Sequence, residues 1–198
     1  MPVRKAKINR KTKETQIAVS IALDGKGLAE VNTGIGFFDH MLTLLAKHGK
    51  MNLMIAAKGD LHVDPHHTVE DVGICLGKAL LDTVADVKGM TRYGHAVIPM
   101  DEALAEAAVD ISGRPFLSFN AELPRGRVGE FDIELVEEFL RAVAVNARMT
   151  VHIVLRYGKN THHCIEAIFK AFARALGEAV QKDPRVKDVP STKGMLET

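Results

Sequence analysis

Two copies of one short phrase, His-His-x-x-Glu, lie about a hundred residues apart in a chain of 198 residues. The first is His66, His67 and Glu70; the second is His162, His163 and Glu166. Four of the nine histidines are thereby paired, each pair with a carboxylate at the same distance. Imidazole nitrogens and carboxylate oxygens are donors that divalent first-row metals take. On a helix, neighbouring residues point about 100° apart, whereas i, i+3 and i+4 share a face. His66 and His67 therefore diverge: one can join Glu70 at one ion while the other serves a second. The same holds for His162, His163 and Glu166. Two divergent pairs predict two metal centres, each drawing on both copies or on neighbouring subunits.

A single phrase of this kind on an amphipathic helix is more often a solvated face. Recurrence at equivalent places in a repeat shifts the reading to metal binding. That repeat is long. FFDHMLTLLAKHGKMNLMIAAKGDLHVDPHH lies over LVEEFLRAVAVNARMTVHIVLRYGKNTHH, the second copy two residues shorter before its histidines. Leu42 falls on Leu140, Met51 on Met149 and Ile55 on Ile153. Self-similarity over half the chain reads as a duplicated unit. His40 in FDHML falls on Glu138 in VEEFL, and both side chains can bind a metal. The inventory is then His40, His66, His67, Glu70, Glu138, His162, His163 and Glu166, four for each of two ions. His48, His62, His95 and His152 lack the pattern and read as structural or surface. Cys164, beside a ligand pair, reads as a small buried residue.

The elements that must position these groups follow the same plan twice. Alternation in Ile17, Val19, Ile21 and Leu23 predicts a half-buried strand closed by Asp24-Gly25. Phe38, Met41, Leu42 and Leu45 recur at about 3.6 residues and predict a helix. A strand through Met51, Leu53 and Ile55 comes next. The first motif helix follows, with Asp64 as N-cap, Pro65 in the first turn and an apolar stripe of Val72, Leu76, Leu80 and Val87. Gly73 and Gly77 would let a neighbouring helix come close. In the second half, Ala107, Val109 and Ile111 mark a strand, and residues 131–147 and 161–181 mark helices. Strands followed by amphipathic helices imply an α+β class in which helices cover one face of each sheet. The expected division is a first unit at 1–88 and a second at 89–198, packed through their helical layers.

Composition narrows the class. Lys and Arg number 26 against 25 Asp and Glu, a net charge of +1, so no basic footprint for nucleic acid is present. No Trp and two Tyr leave little to stack on bases. No apolar run approaches the roughly 20 residues that span a bilayer. The basic N-terminus lacks the apolar core of a signal peptide and reads as strand. Two cysteines are too few for a disulfide framework, so a reducing cytoplasmic setting is expected.

TKET, DPHHTVEDVG, ISGRP, HHCIEAIFKAFARAL and VPSTKGML, in this order along the chain, resemble the imidazoleglycerol-phosphate dehydratase family of histidine biosynthesis. The resemblance runs over roughly residues 4–196. It implies two units, each a four-stranded sheet with two helices, in a cytoplasmic homo-oligomer of 24 subunits with two manganese ions at each active site, lying between subunits. Metal ligands would be His40, His66, His67, Glu70, His162, His163 and Glu166. Glu138 stands where some members have histidine, and Leu44 where some have glutamine. Arg92, Arg114, Lys170, Ser191 and Lys193 would contact the substrate phosphate. Glu14 and Asp101 would lie near the reacting glycerol carbons.

The chemistry suits such parts. In imidazole-glycerol phosphate the carbon beside the ring carries a hydroxyl, and the next carbon must lose a proton that no carbonyl activates. General-base catalysis alone meets a high barrier. Metals on both ring nitrogens would favour an imidazolate that expels the hydroxyl, giving a diazafulvene-type intermediate. Proton loss then gives an enol that tautomerises to imidazole-acetol phosphate, with the metals as Lewis acids and templates. Glu14, Glu70 and Glu166 are all candidate bases. Two rivals are a dinuclear metallohydrolase, with ions roughly 3.5–4 Å apart, and a metal-storage oligomer. Ions clasping one ring from both nitrogens would stand roughly 6 Å apart, from bond lengths near 2.1 Å. Storage would need no phosphate grip.

Overall fold

The computed structural model describes residues 4–196. The first half runs β1 (Lys5–Lys11), β2 (Thr15–Ala22), β3 (Ala29–Asn32), α1 (Gly36–Gly49), β4 (Asn52–Gly59) and α2 (His66–Thr83). The second runs β5 (Tyr93–Met100), β6 (Ala103–Asp110), β7 (Phe116–Asn120), a short hairpin of β8 (Arg127–Val128) and β9 (Phe131–Asp132), α3 (Leu135–Asn146), β10 (Thr150–Tyr157) and α4 (Thr161–Ala179). The sheets have matching orders, β1-β2-β4-β3 and β5-β6-β10-β7. In each, the last pair is parallel and the rest antiparallel. This is an α+β fold with an internally duplicated unit. No helix among the described residues is long and apolar enough to cross a membrane.

Period-two burial makes each sheet one-sided. Ile17, Val19 and Ile21 of β2 and Ala105, Ala107 and Val109 of β6 face inward and are buried. The four helices fill the space between the two inner faces. α2 lies on β1 and β2 and against α3 of the other half; α4 lies on β5 and β6 and against α1. Every helix-to-helix contact of this kind thus joins the two halves. Gly73 and Gly77 make the α2–α3 approach possible. A methyl at Gly77 would come within 2.7 Å of the Val143 carbonyl oxygen, and one at Gly73 within 3.0 Å of that of Phe139.

The duplication extends to how helices end. Lys50 and Arg148, equivalent in the repeat, are both left-handed, at φ 56° and 51°. The next residues, Met51 and Met149, donate their N–H groups to Ala46 and Ala144 carbonyls, each at 3.1 Å. These are the αL exits that satisfy orphan carbonyls at a helix C-terminus.

Helix α4, expected over 161–181, ends at Ala179, and three further boundaries differ from the sequence reading. The helix expected over 131–147 begins only at Leu135, because Gly129, at φ 60°, turns the chain into the β8–β9 hairpin and buries Phe131 against Phe38. Helix α2 starts at His66, not Pro65, and Asp64 caps it from one residue further out, its Oδ1 accepting the His66 N–H at 2.7 Å. Val87 lies beyond the end of α2, so the helix stripe stops at Leu80.

Candidate metal centre and active site

Both His-His pairs sit in the first turn of their helices, His66 and His67 on α2, His162 and His163 on α4. Ring planes within each pair stand nearly perpendicular, at 88° and 84°, with centroids 6.2 Å apart in both. Adjacent helix positions force this divergence. A pair cannot close on one ion.

One member of the second pair finds company from the other half. Helix α1 brings His40 to α4, where Nε2 of His40 and Nε2 of His162 lie 3.4 and 3.2 Å from the same oxygen, Oε2 of Glu166. All three ligand atoms lie within 4.8 Å of one another. Two donors bound side by side at about 2.2 Å from one octahedral ion stand roughly 3 Å apart. The two contacts already have that spacing, and two imidazoles with a carboxylate suit a first-row divalent ion. The donor set fits. Phe37 sets its ring edge-on to His162, 5.1 Å between centroids, and holds the imidazole from behind. Among the described residues this is the single such group. The equivalent trio on α2 and α3, His66, Glu70 and Glu138, does not gather in the same way.

Glu166 is buried, which raises its pKa. Lys170, one turn along α4 with Nζ 2.5 Å from Oε1, and hydrogen bonds from His40 and His162 outweigh burial and leave the carboxyl below its usual range. Lys170 is therefore spent on the ligand cluster.

His67 and His163 point elsewhere, each toward carboxylates. Nδ1 of His67 lies 3.0 Å from Asp60 at the end of β4, and 4.0 Å from Glu14 in the β1–β2 turn. Nδ1 of His163 lies 2.8 Å from Glu102 in the β5–β6 turn, and its Nε2 lies 3.9 Å from Asp101. Asp60 and Glu102 push up the pKa of their histidines through these hydrogen bonds. Glu102 also accepts the N–H groups of Lys159 and Asn160, and its own pKa drops to about 2, chiefly through His163. A carboxylate on one ring nitrogen fixes the imidazole's orientation and leaves the other nitrogen for a metal. Sequence reasoning missed Asp60 and Glu102 because they are not equivalent in the repeat. The one available signal was Glu102's place beside Asp101 in PMDEAL.

Of the basic and hydroxyl residues expected at the phosphate, Arg92, Arg114, Ser191 and Lys193 line one cavity of about 630 Å³, together with Ser112 and Thr192. Lys170 is not among its walls. The ISGRP turn is closed on itself: Ser112 Oγ donates to the Arg114 carbonyl and accepts the Arg114 N–H, both at 3.1 Å. Arg92, at φ 73° and nearly buried, donates from Nε and Nη2 to Asp110 at 2.7 and 3.2 Å and from Nη1 to the Pro190 carbonyl at 2.9 Å. Its pKa rises through Asp110. This arginine ties the C-terminal segment, with Ser191 and Lys193, to the edge of the second sheet.

Comparison with known proteins gives the family and the fold. The family model described as imidazoleglycerol-phosphate dehydratase matches residues 33–176. The imidazoleglycerol-phosphate dehydratase of Halalkalibacterium halodurans is 60% identical over 194 residues, covering 98% of this chain and 100% of that one. That of Bacillus subtilis is 55% identical, with the same coverage. The crystal structure of the Staphylococcus aureus protein of that name superposes with a TM-score of 0.82 at 52% identity, covering 90% of this chain and 99% of that one. The Pyrococcus furiosus structure gives 0.81 at 38% identity, over 96% and 100%.

Proposed function

The chain belongs to the imidazoleglycerol-phosphate dehydratase family and is a hydro-lyase, and from that premise we propose that it is a manganese-dependent enzyme turning imidazole-glycerol phosphate into imidazole-acetol phosphate and water, in histidine biosynthesis. The observation that carries the reading is the meeting of His40, His162 and Glu166, brought together from two halves of the repeat with donor spacing suited to one ion. His66, His67, Glu70, Glu138 and His163 are the remaining ligand candidates. Among the described residues they form no second such group within one chain, which supports sites completed by neighbouring copies, and hence a homo-oligomer, 24 subunits by family likeness. The buried free cysteines Cys75 and Cys164 support a cytoplasmic setting.

Manganese held by the ligand residues would supply Lewis acidity to the substrate imidazole, easing loss of its ring proton. The chain's own residues do the rest. Arg92, Arg114, Ser191 and Lys193 grip the phosphate by charge-assisted hydrogen bonds, which fixes the carbon chain and lowers the entropy cost of reaction. Lys170 would reach the same phosphate only by leaving Glu166. A carboxylate must then take the proton from the carbon next to the one that loses hydroxyl. Glu166 is poorly suited, with both oxygens engaged and its basicity reduced. Glu14 is exposed and stands 4.0 Å from His67, so it is assigned as the base. Asp101, in the equivalent turn 3.9 Å from His163 Nε2, is assigned to stand near the reacting carbons.

Turnover with manganese and imidazole-glycerol phosphate tests this. The enol absorbance of the product in alkali should grow with time, vanish with chelator and return with manganese. Release of inorganic phosphate without that absorbance would favour the hydrolase.

A further inference from the structure

Glu14 sits in a three-residue turn between β1 and β2, where an exposed side chain would ordinarily wander. This turn is held. Thr12 Oγ1 accepts the N–H groups of Glu14 at 3.1 Å and Thr15 at 2.9 Å, and the Thr12 N–H donates to the Thr15 carbonyl at 2.9 Å. Thr12 and Thr15 hydroxyls lie 3.2 Å apart. Thr15 Oγ1 then donates to Oδ2 of Asp71 on α2 at 2.5 Å, and Arg10 Nε of β1 donates to Oδ1 at 2.8 Å. Asp71 is 6% exposed. Both its oxygens are spent on the two strands that flank the turn. The next residue back along the helix is Glu70, and His67 is one turn away.

The contact needs room, and Gly59 leaves it. Gly59 pairs with Thr15 across the sheet, and a methyl there would stand 2.0 Å from Thr68 Oγ1 and 3.6 Å from Thr15 Cγ2. Strand, turn and helix therefore meet without an intervening side chain.

The second half solves the same problem with reversed parts. Ala167 replaces Asp71 in the repeat, so the helix has no carboxylate to offer. Instead the turn supplies one: Glu102 holds His163 and the first N–H groups leading into α4. Both turns carry an acid close to a motif histidine, at 4.0 Å for Glu14 and 3.9 Å for Asp101. Both are pinned to the motif helix, by different residues.

We propose that Asp71, through Thr15 and Arg10, is a positioning residue for the reaction, fixing the Glu14 turn against the helix that carries His66, His67 and Glu70. A carboxylate that must take a proton from carbon needs a defined approach, and misplacement by about 1 Å can cost on the order of a hundredfold in rate. The inference rests on the reading of Glu14 as the base. A double-mutant cycle tests both separately, with the manganese-loaded enzyme. Thr15→Val removes the donor and keeps the shape; Thr15→Ser keeps the donor. Thr15→Val should lower kcat about ten- to hundredfold, with KM and metal content unchanged, and Thr15→Ser should restore it. In a Glu14→Gln background the Thr15→Val penalty should vanish, since a residue acting through Glu14 has nothing left to position. Should Thr15→Val fail to fold, Arg10→Gln enters the same cycle. Wild-type kcat in Glu14→Gln would overturn the role of Glu14, and the clamp's purpose with it. A large loss in Glu14→Gln, with the Thr15→Val penalty undiminished in that background, would overturn the clamp alone.

Discussion

Lys170 Nζ lies 2.5 Å from Oε1 of Glu166, whose other oxygen faces His40 and His162. One carboxylate thus joins a fixed cation to two imidazoles, and the ammonium competes with whatever ion the imidazoles would share.

Replacing Lys170 by Met should therefore tighten manganese binding to chelator-stripped protein. About 1 kcal/mol for a partly buried charged contact gives roughly a fivefold change at low ionic strength. Isothermal titration checks this. Weaker binding in the variant would mean that Lys170 organises the ligands instead of opposing the ion.

Protons should compete with metal at His163. Its folded pKa is raised above 6.5 by Glu102, and Glu102 is lowered from 4.5 to about 2 by His163. In the metal-free protein their mutual stabilisation is complete between about pH 4.5 and 6.5. It is lost as pH rises through the raised histidine pKa, and as pH falls through the lowered carboxylate pKa. Metal takes the neutral imidazole, so manganese affinity should fall as pH drops through the raised pKa. Glu102→Gln should shift that fall to lower pH, followed by titrations over a pH series. An unmoved profile would remove His163 from the ligand set.

Close packing makes certain glycines irreplaceable. A methyl at Gly94 of β5 would sit 1.9 Å from the Ala175 carbonyl oxygen of α4, whereas Gly36 has nothing within 4 Å. Gly94→Ala should cost about 1–3 kcal/mol or more and lower Tm by several degrees. Gly36→Ala should stay within about 0.5 kcal/mol of wild type. Calorimetry of both variants separates crowding at the helix from a general effect of added methyls.

Arg92→Lys should loosen the C-terminal segment and weaken the phosphate grip together, because lysine cannot span Asp110 and the Pro190 carbonyl at once. KM should rise roughly tenfold, the worth of one charge-assisted hydrogen bond, with metal content intact. Deleting the residues after Val189 should abolish most turnover and also spare the metal. Steady-state kinetics with metal analysis reads both, and wild-type kinetics in the truncated chain would refute a role for Ser191 and Lys193.

Much of the fold was legible because the duplication writes each element twice. The stripe of Phe38, Met41, Leu42 and Leu45 and the strand alternation are buried as periodicity requires. The α3 boundary was not legible: residues 131–134 carry a helix-like apolar pattern, and only the hairpin pairing to Arg127 and Val128 overrides it. At the site, helix geometry alone accounts for the divergence of each His pair. The carboxylates behind them, Asp60 and Glu102, come from a strand end and a turn, brought near by tertiary packing. Lys170 shows the opposite limit. Its spacing of four from Glu166 was visible, yet an i, i+4 pair says nothing of a choice between carboxylate and phosphate.

The central claim is dehydration by the chain that carries both His-His-x-x-Glu helices. Mass spectrometry of the reaction on imidazole-glycerol phosphate, ¹⁸O-labelled at the hydroxyl beside the ring, tests it most directly. The account predicts a product lighter by one labelled water, with its phosphate ester intact. A label retained in the organic product, with inorganic phosphate set free, would contradict it.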